Sequence, residues 1–133
     1  MPRPLSFPRE KRLVLGRDFQ RAYREGGRAK GRIVLVIAWE NGTALSRLGV
    51  SVGRSVWKSA VKRNRVRRIF REAFRLSYPD LPRGVDVVLI PAEPKLVPTL
   101  SEVRAELATL IPKALARRSE RRKRSASDVG GRT

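Results

Sequence analysis

The stretch from Lys58 to Arg75 limits what this chain can become more than any other: it holds eight basic residues and a single acid, Glu72. Stepping 100° per residue from Arg63 places Val66, Ile69, Phe70, Ala73 and Phe74 between about 240° and 20°. Arg67, Arg71, Asn64, Arg75 and Arg68 then fall between about 40° and 140°. The result is one amphipathic helix with a core face and an arginine face. Lys62 lands inside the apolar arc, so either its stem lies along apolar surface with the amine in solvent, or the helix starts after it. The ordinary reading of such a face is a solvated one. Solvated faces, however, mix signs at i, i+4, whereas Arg63, Arg67, Arg71 and Arg75 repel one another at that spacing. Phosphates opposite the row account for it, because guanidinium forks match phosphate oxygens.

The whole chain repeats this bias. Its 133 residues carry 31 Lys and Arg against 12 Asp and Glu, a formal net charge of +19, and a small domain with that excess repels itself until a polyanion neutralises it. There is no Cys and no His, which removes thiolate and imidazole catalysis, disulfides and soft-ligand metal sites. The longest apolar run, Ile33 to Trp39, is seven residues, far short of the ~18 that a membrane helix needs. The N-terminal MPRPLSFPREKR has no apolar signal segment. A soluble, cytoplasmic protein with no membrane partner is expected.

The length suits one small domain. Residues 1–11, with prolines at 2, 4 and 8, read as an extended N-terminal arm. Phe19, Ala22 and Tyr23 recur at helical spacing before a Gly26-Gly27 stop, which predicts a short helix from about Gly16. Residues 32–39 are rich in β-branched side chains and Arg47 to Gly53 alternates, predicting two strands paired as a hairpin across Asn41-Gly42. Pro79 and Pro82-Arg83-Gly84 break the chain before a buried strand at 85–92. Ser101 is the predicted cap of a last helix bearing Val103, Leu107, Leu110 and Ile111 on one face, with Pro112 kinking or ending it. From Lys113 to Arg124 seven basic residues meet only Glu120, and 116–133 read as a basic disordered tail. The folded domain is then 12–115, an α+β unit of helix, strands, helix, strand, helix.

The run Lys62-Arg63-Asn64-Arg65-Val66-Arg67-Arg68, followed by IFREAFR and the strand VVLIPAEP, resembles the RNR motif region of the bacterial ribonuclease P protein family. GRDFQRAYREGGRAKGR (16–32) is similar to that family's first helix and the loop after it, and LGVSVGRSV (48–56) to the strand leading into its basic helix. The likeness covers about 12–115. It implies a small two-layer α/β sandwich whose central, mostly antiparallel sheet carries a left-handed βαβ crossover, a topology shared with a ribosomal-protein domain. That handedness runs against the general rule for parallel crossovers, so the resemblance alone suggests it. The family's proteins are subunits of a ribonucleoprotein that removes the 5′ leader from precursor tRNA. Its RNA subunit performs the cleavage with magnesium ions held mainly by the RNA.

On this resemblance the surface for the RNA subunit comprises Lys62, Arg63, Asn64, Arg65, Arg67, Arg68 and Arg71. Arg54 and Lys58 stand in for a basic pair that the family carries before the motif, in a run, GRSVWKSAV, one residue longer than usual. Trp57 is expected to anchor the crossover rather than stack on RNA. The leader would lie in a cleft between the first helix and the sheet. Phe19 and Tyr23 match aromatic positions there, and unpaired bases stack on such rings. Without the family both read as ordinary core residues. A third cleft aromatic is common around Ile37, which is aliphatic here, and Trp39, two residues on along the same strand face, is the expected substitute.

A protein nuclease would need a general base, or carboxylates grouped to hold two metals. Asp86 and Glu93 lie seven residues apart on the presumed strand and point to opposite faces, and Asp80 adds no cluster. No catalytic residue and no metal ligand is expected on the chain. The rival reading is a structural RNA binder of the ribosomal type. A DNA partner is disfavoured, because no helix–turn unit precedes the arginine helix and its long side chains seek phosphates rather than base edges.

Overall fold

The computed structural model describes residues 16–130, with side chains over 20–120. The order is α1 (Gly16–Glu25), β1 (Gly27–Lys30), β2 (Val34–Glu40), β3 (Arg47–Val50), α2 (Ala60–Ser77), a 3₁₀ turn (Tyr78–Asp80), β4 (Val85–Pro91) and α3 (Leu100–Gly130). The expected arm at 1–11 lies outside the described residues. Strands run in the order β1-β2-β4-β3, antiparallel except for the parallel β3–β4 pair.

This pairing corrects the expected hairpin. The hairpin partner of β2 is β1, a four-residue strand at the place where the sequence reads only a glycine stop. β3 does not pair with β2, because β4 lies between them. β4 is buried on both faces along nearly its whole length, the pattern of a central strand. Its Asp86 also draws in both neighbours: Arg47 donates to the carboxylate at 2.9 and 2.6 Å, and Asn41 Nδ2 donates at 2.7 Å. The Asp86 side chain is 1% exposed, so its charge is tolerable only when paired on both sides. Gly84 closes the same end of the sheet. It sits at φ +70°, its carbonyl accepts from Asn41 N–H at 2.8 Å, and a Cβ there would lie 2.3 Å from the Thr43 carbonyl oxygen.

Strand alternation sorts the apolar side chains into two cores. On one face Val34, Val36 and Ala38 of β2 and Val85, Val87 and Leu89 of β4 meet Phe70 and Phe74 of α2 and Leu107 and Ile111 of α3. On the other face α1 sets Ala22 against Ile37, Trp39 and Val88. The architecture is the expected two-layer α+β sandwich, with β3–α2–β4 as its parallel crossover and α1 covering part of the second sheet face.

α3 departs from expectation at both ends. Thr99, not Ser101, supplies the cap: its Oγ1 accepts from Glu102 N–H at 3.3 Å and its hydroxyl donates to the Glu102 carboxylate at 2.6 Å, so one side chain serves both the backbone donor and the carboxylate three residues on. The helix passes through Pro112 and continues to Gly130, beyond residue 116 where the sequence predicts a disordered tail. Ile111 and Ala114 stay buried on either side of the proline. Beyond it Arg117 Nη1 donates to the Arg28 carbonyl at 2.9 Å and Arg118 Nε to the Glu25 carbonyl at 3.1 Å. Tertiary anchoring of this kind overrides a local penalty. α3 crosses β1 so closely that a Cβ on Gly27 would lie 1.9 Å from the Ala114 carbonyl oxygen.

Candidate nucleic-acid interface

Ser59 starts α2 from an extended backbone, its Oγ accepting from Lys62 N–H at 3.3 Å. The helix has therefore begun before Lys62. That side chain is exposed and holds its amine 4.3 Å from the centroid of the Trp57 ring, a cation–π contact. Val66, Phe70, Ala73 and Phe74 are buried, so the opposite, arginine-bearing flank faces away from the core.

Within that flank the arginines divide into two groups. Arg63 Nη1 donates to the carbonyls of Trp57 and Lys58 at 3.0 and 2.8 Å. Arg67 donates to Asn64 Oδ1 at 2.7 Å and to the Val52 carbonyl at 2.9 Å. Arg75 pairs with Glu72, which holds the guanidinium above its ordinary pKa, and Arg71 also interacts within the chain. By contrast Arg54, Lys58, Arg65 and Arg68 are exposed and have no side-chain partner among the described residues. The repulsion along the i, i+4 row is thus relieved at Arg63 and Arg67 by carbonyl oxygens of the loop before the helix and at Arg75 by Glu72. The guanidinium and amine groups left for an external anion lie beside that row. Sequence spacing alone does not separate the two groups, because the acceptors are backbone atoms of a loop without regular structure.

The α1 face is more closed than the sequence suggests. Tyr23 is 41% exposed; the Arg28 guanidinium lies 5.9 Å from its ring centroid and donates to its carbonyl at 3.2 Å. Ile37 and Trp39, expected to line the cleft, are fully buried in the core that α1 helps to close. As α1 lies, neither presents surface to a ligand. The reason is the tight entry from α1 into β1: a Cβ on Gly26 would come 2.4 Å from Ile37 Cγ2. Trp39 Nε1 finds no acceptor among the described residues. Phe19 belongs to α1, but its side chain is outside those described. At the end of α1 a hydrogen bond from Arg21 lowers the Glu25 pKa, outweighing the opposing effect of burial.

The family profile described as Ribonuclease P matches residues 7–115. This chain belongs to the ribonuclease P protein family. The ribonuclease P protein component of Thermotoga petrophila is 42% identical over 86 residues, 65% of this chain and 73% of that one. That of Pseudomonas putida (strain GB-1) is 40% identical over 85 residues, 63% of either chain, so the match spans less than two thirds of the Pseudomonas protein. Among solved structures, the ribonuclease P protein of Thermotoga maritima gives a TM-score of 0.65 at 35% identity, covering 74% of this chain and 92% of that one. The Staphylococcus aureus ribonuclease P protein gives 0.64 at 28% identity, covering 75% and 91%. The last part of α3, past residue 115, lies beyond the family match.

Two of the described carboxylates are already engaged by the fold. The Asp86 carboxylate is taken by Arg47 and Asn41, and that of Glu106 accepts from the N–H groups of Arg32, Ile33 and Val34 at 3.0–3.2 Å. Among the described residues no three acidic side chains gather. Trp57 packs against the main core and donates Nε1 to the Leu96 carbonyl at 2.9 Å, so it anchors the crossover loop as the sequence predicts.

Proposed function

We propose that this chain is the protein subunit of a ribonuclease P ribonucleoprotein, an endonuclease that removes the 5′ leader from precursor tRNA, and that it positions RNA without supplying catalytic groups. The observation that carries this reading is the group of exposed cations, Arg54, Lys58, Arg65 and Arg68, partnerless among the described residues around the start of α2. They sit in the segment that bears the family motif. The RNA subunit docks there, with Lys62, Arg63, Asn64, Arg67 and Arg71 on the same helix, and it holds the magnesium and performs the hydrolysis. The second partner is precursor tRNA, whose single-stranded leader crosses Phe19, Tyr23 and Arg28 on the α1 side. Ile37 and Trp39 support that surface from beneath. The assembly works in the cytoplasm without a membrane or DNA partner; no described helix is long and apolar enough to cross a membrane.

Reconstitution tests the reading. Adding the protein to the RNA subunit and a precursor tRNA at low magnesium raises cleavage. Arg65→Ala weakens affinity for the RNA subunit, and Tyr23→Ala reduces discrimination between leader-bearing and mature tRNA. With about five phosphates neutralised, log affinity falls against log salt with a slope of roughly −3 to −5. No stimulation anywhere in a magnesium titration would instead favour a structural, ribosomal-type RNA binder.

A further inference from the structure

We infer that an apolar crevice beside the first turns of α2 receives one unpaired nucleobase of the RNA subunit, an inference that rests on the reading that α2 docks that RNA. The crevice is a cavity of about 90 Å³ lined among others by Trp57, Ile69, Leu96 and Val97, with Lys62 and Arg65 as its charged members. Sites for whole small ligands run about 300–1,000 Å³, so this one suits a single ring.

Two features set it apart from a merely solvated basic surface. The first is exposed apolar area where the charge is densest. Val97 is 70% exposed, and Val61, one helical turn before Arg65, is 78% exposed; no other large apolar residue described exceeds 45%. Phosphate binding needs no such surface, and cations alone would serve it better. A nucleotide, which joins an anion to a planar apolar ring, calls for both at once.

The second feature is rigidity. The wall contributed by Leu96 and Val97 is tied to the loop before α2 twice: by Trp57 Nε1 donating to the Leu96 carbonyl at 2.9 Å, and by Lys95 N–H donating to the Val56 carbonyl at 2.7 Å. Lys95 makes its bond at φ +56°, a conformation that non-glycine residues seldom adopt and that the surrounding contacts must hold.

Charge selects the occupant. Lys58 and Lys95 are the chain neighbours of Trp57 and Leu96, Lys62 and Arg65 line the crevice, and Glu93 is the one acid in the 92–98 loop. An acidic or apolar protein segment would use only half of this surface. The leader is an unsuitable occupant because its proposed surface lies with α1, across the sheet from α2.

The test measures equilibrium binding of the full chain to the RNA subunit over a salt series, using Val97→Ser and Arg65→Ala. Val97→Ser removes apolar surface without charge at an exposed position. The expected result is a fall in affinity of about fivefold or more with an unchanged salt slope and melting temperature, while Arg65→Ala weakens binding and makes the slope shallower by about one. Chemical probing of the RNA is expected to show one unpaired nucleotide protected by the native protein and reactive with Val97→Ser. If Arg65→Ala weakens binding and Val97→Ser does not, the crevice is not a base site and the docking reading stands. Should neither variant weaken binding, the docking reading falls and takes the crevice with it. A Val97→Ser effect that comes with a changed slope or lowered melting temperature also overturns the proposal.

Discussion

Asp86 and Glu106 show how single acids in a strongly basic chain serve the fold. Asp86 is the buried partner of Arg47 and Asn41, and replacing it with Ala leaves a 34% exposed guanidinium without its counter-ion. Breaking one side of a buried pair costs about 3–5 kcal/mol, and the partial exposure of Arg47 puts the expected loss near the lower end. The measurement is urea unfolding, with a lowered midpoint and an unchanged m value. Glu106 acts at the other end of the sheet, where its carboxylate satisfies three consecutive N–H groups of the β1–β2 turn. Glu106→Gln keeps the shape but leaves one acceptor oxygen in place of two. We expect a loss of about 1–3 kcal/mol and faster amide exchange at Ile33 and Val34, with the α2 amides unaffected.

At the level of elements, α2 is a helix held by its surroundings more than by itself. Its first turn carries no acid, and its basic residues crowd toward the positive end of the helix dipole, the unfavourable arrangement. Ser59 at the cap and the carbonyls that receive Arg63 and Arg67 offset this. Ser59→Ala is expected to cost about 1 kcal/mol, seen as a lower melting temperature, and bound RNA should recover much of the loss because phosphates stabilise the same end. α1 is held differently: its last turn rests on Arg118 from α3 and on the Arg21–Glu25 pair.

Across the molecule, the sheet separates two surfaces, the α2 cations on one side and Tyr23 with Arg28 on the other. On the proposed function, this separation lets one small domain meet two stretches of RNA without either displacing the other. The charge that suits a polyanionic partner also opposes compactness, since a chain at +19 repels itself. Sulfate or phosphate is accordingly expected to raise the melting temperature well beyond chloride at matched ionic strength, by binding the folded state. Equal melting temperatures in the two salts would show that the surface holds no anion site in the absence of RNA.

Local periodicity was enough to reveal α2 with its arginine flank, α1 and the buried strand at β4, because each is written within a few residues of itself. Other features depend on partners far along the chain. β4 stands between β2 and β3, where Arg47 finds its counter-ion at Asp86, and the β1–β2 turn is closed by Glu106 more than seventy residues away. Whether an arginine of α2 bonds the loop or stays available, and whether Trp39 lines a cleft or disappears beneath α1, follows from how the layers stack. Side-chain pattern says which face of an element is apolar; packing says what covers it, and that cover distinguishes Arg65 from Arg63 and Tyr23 from Trp39.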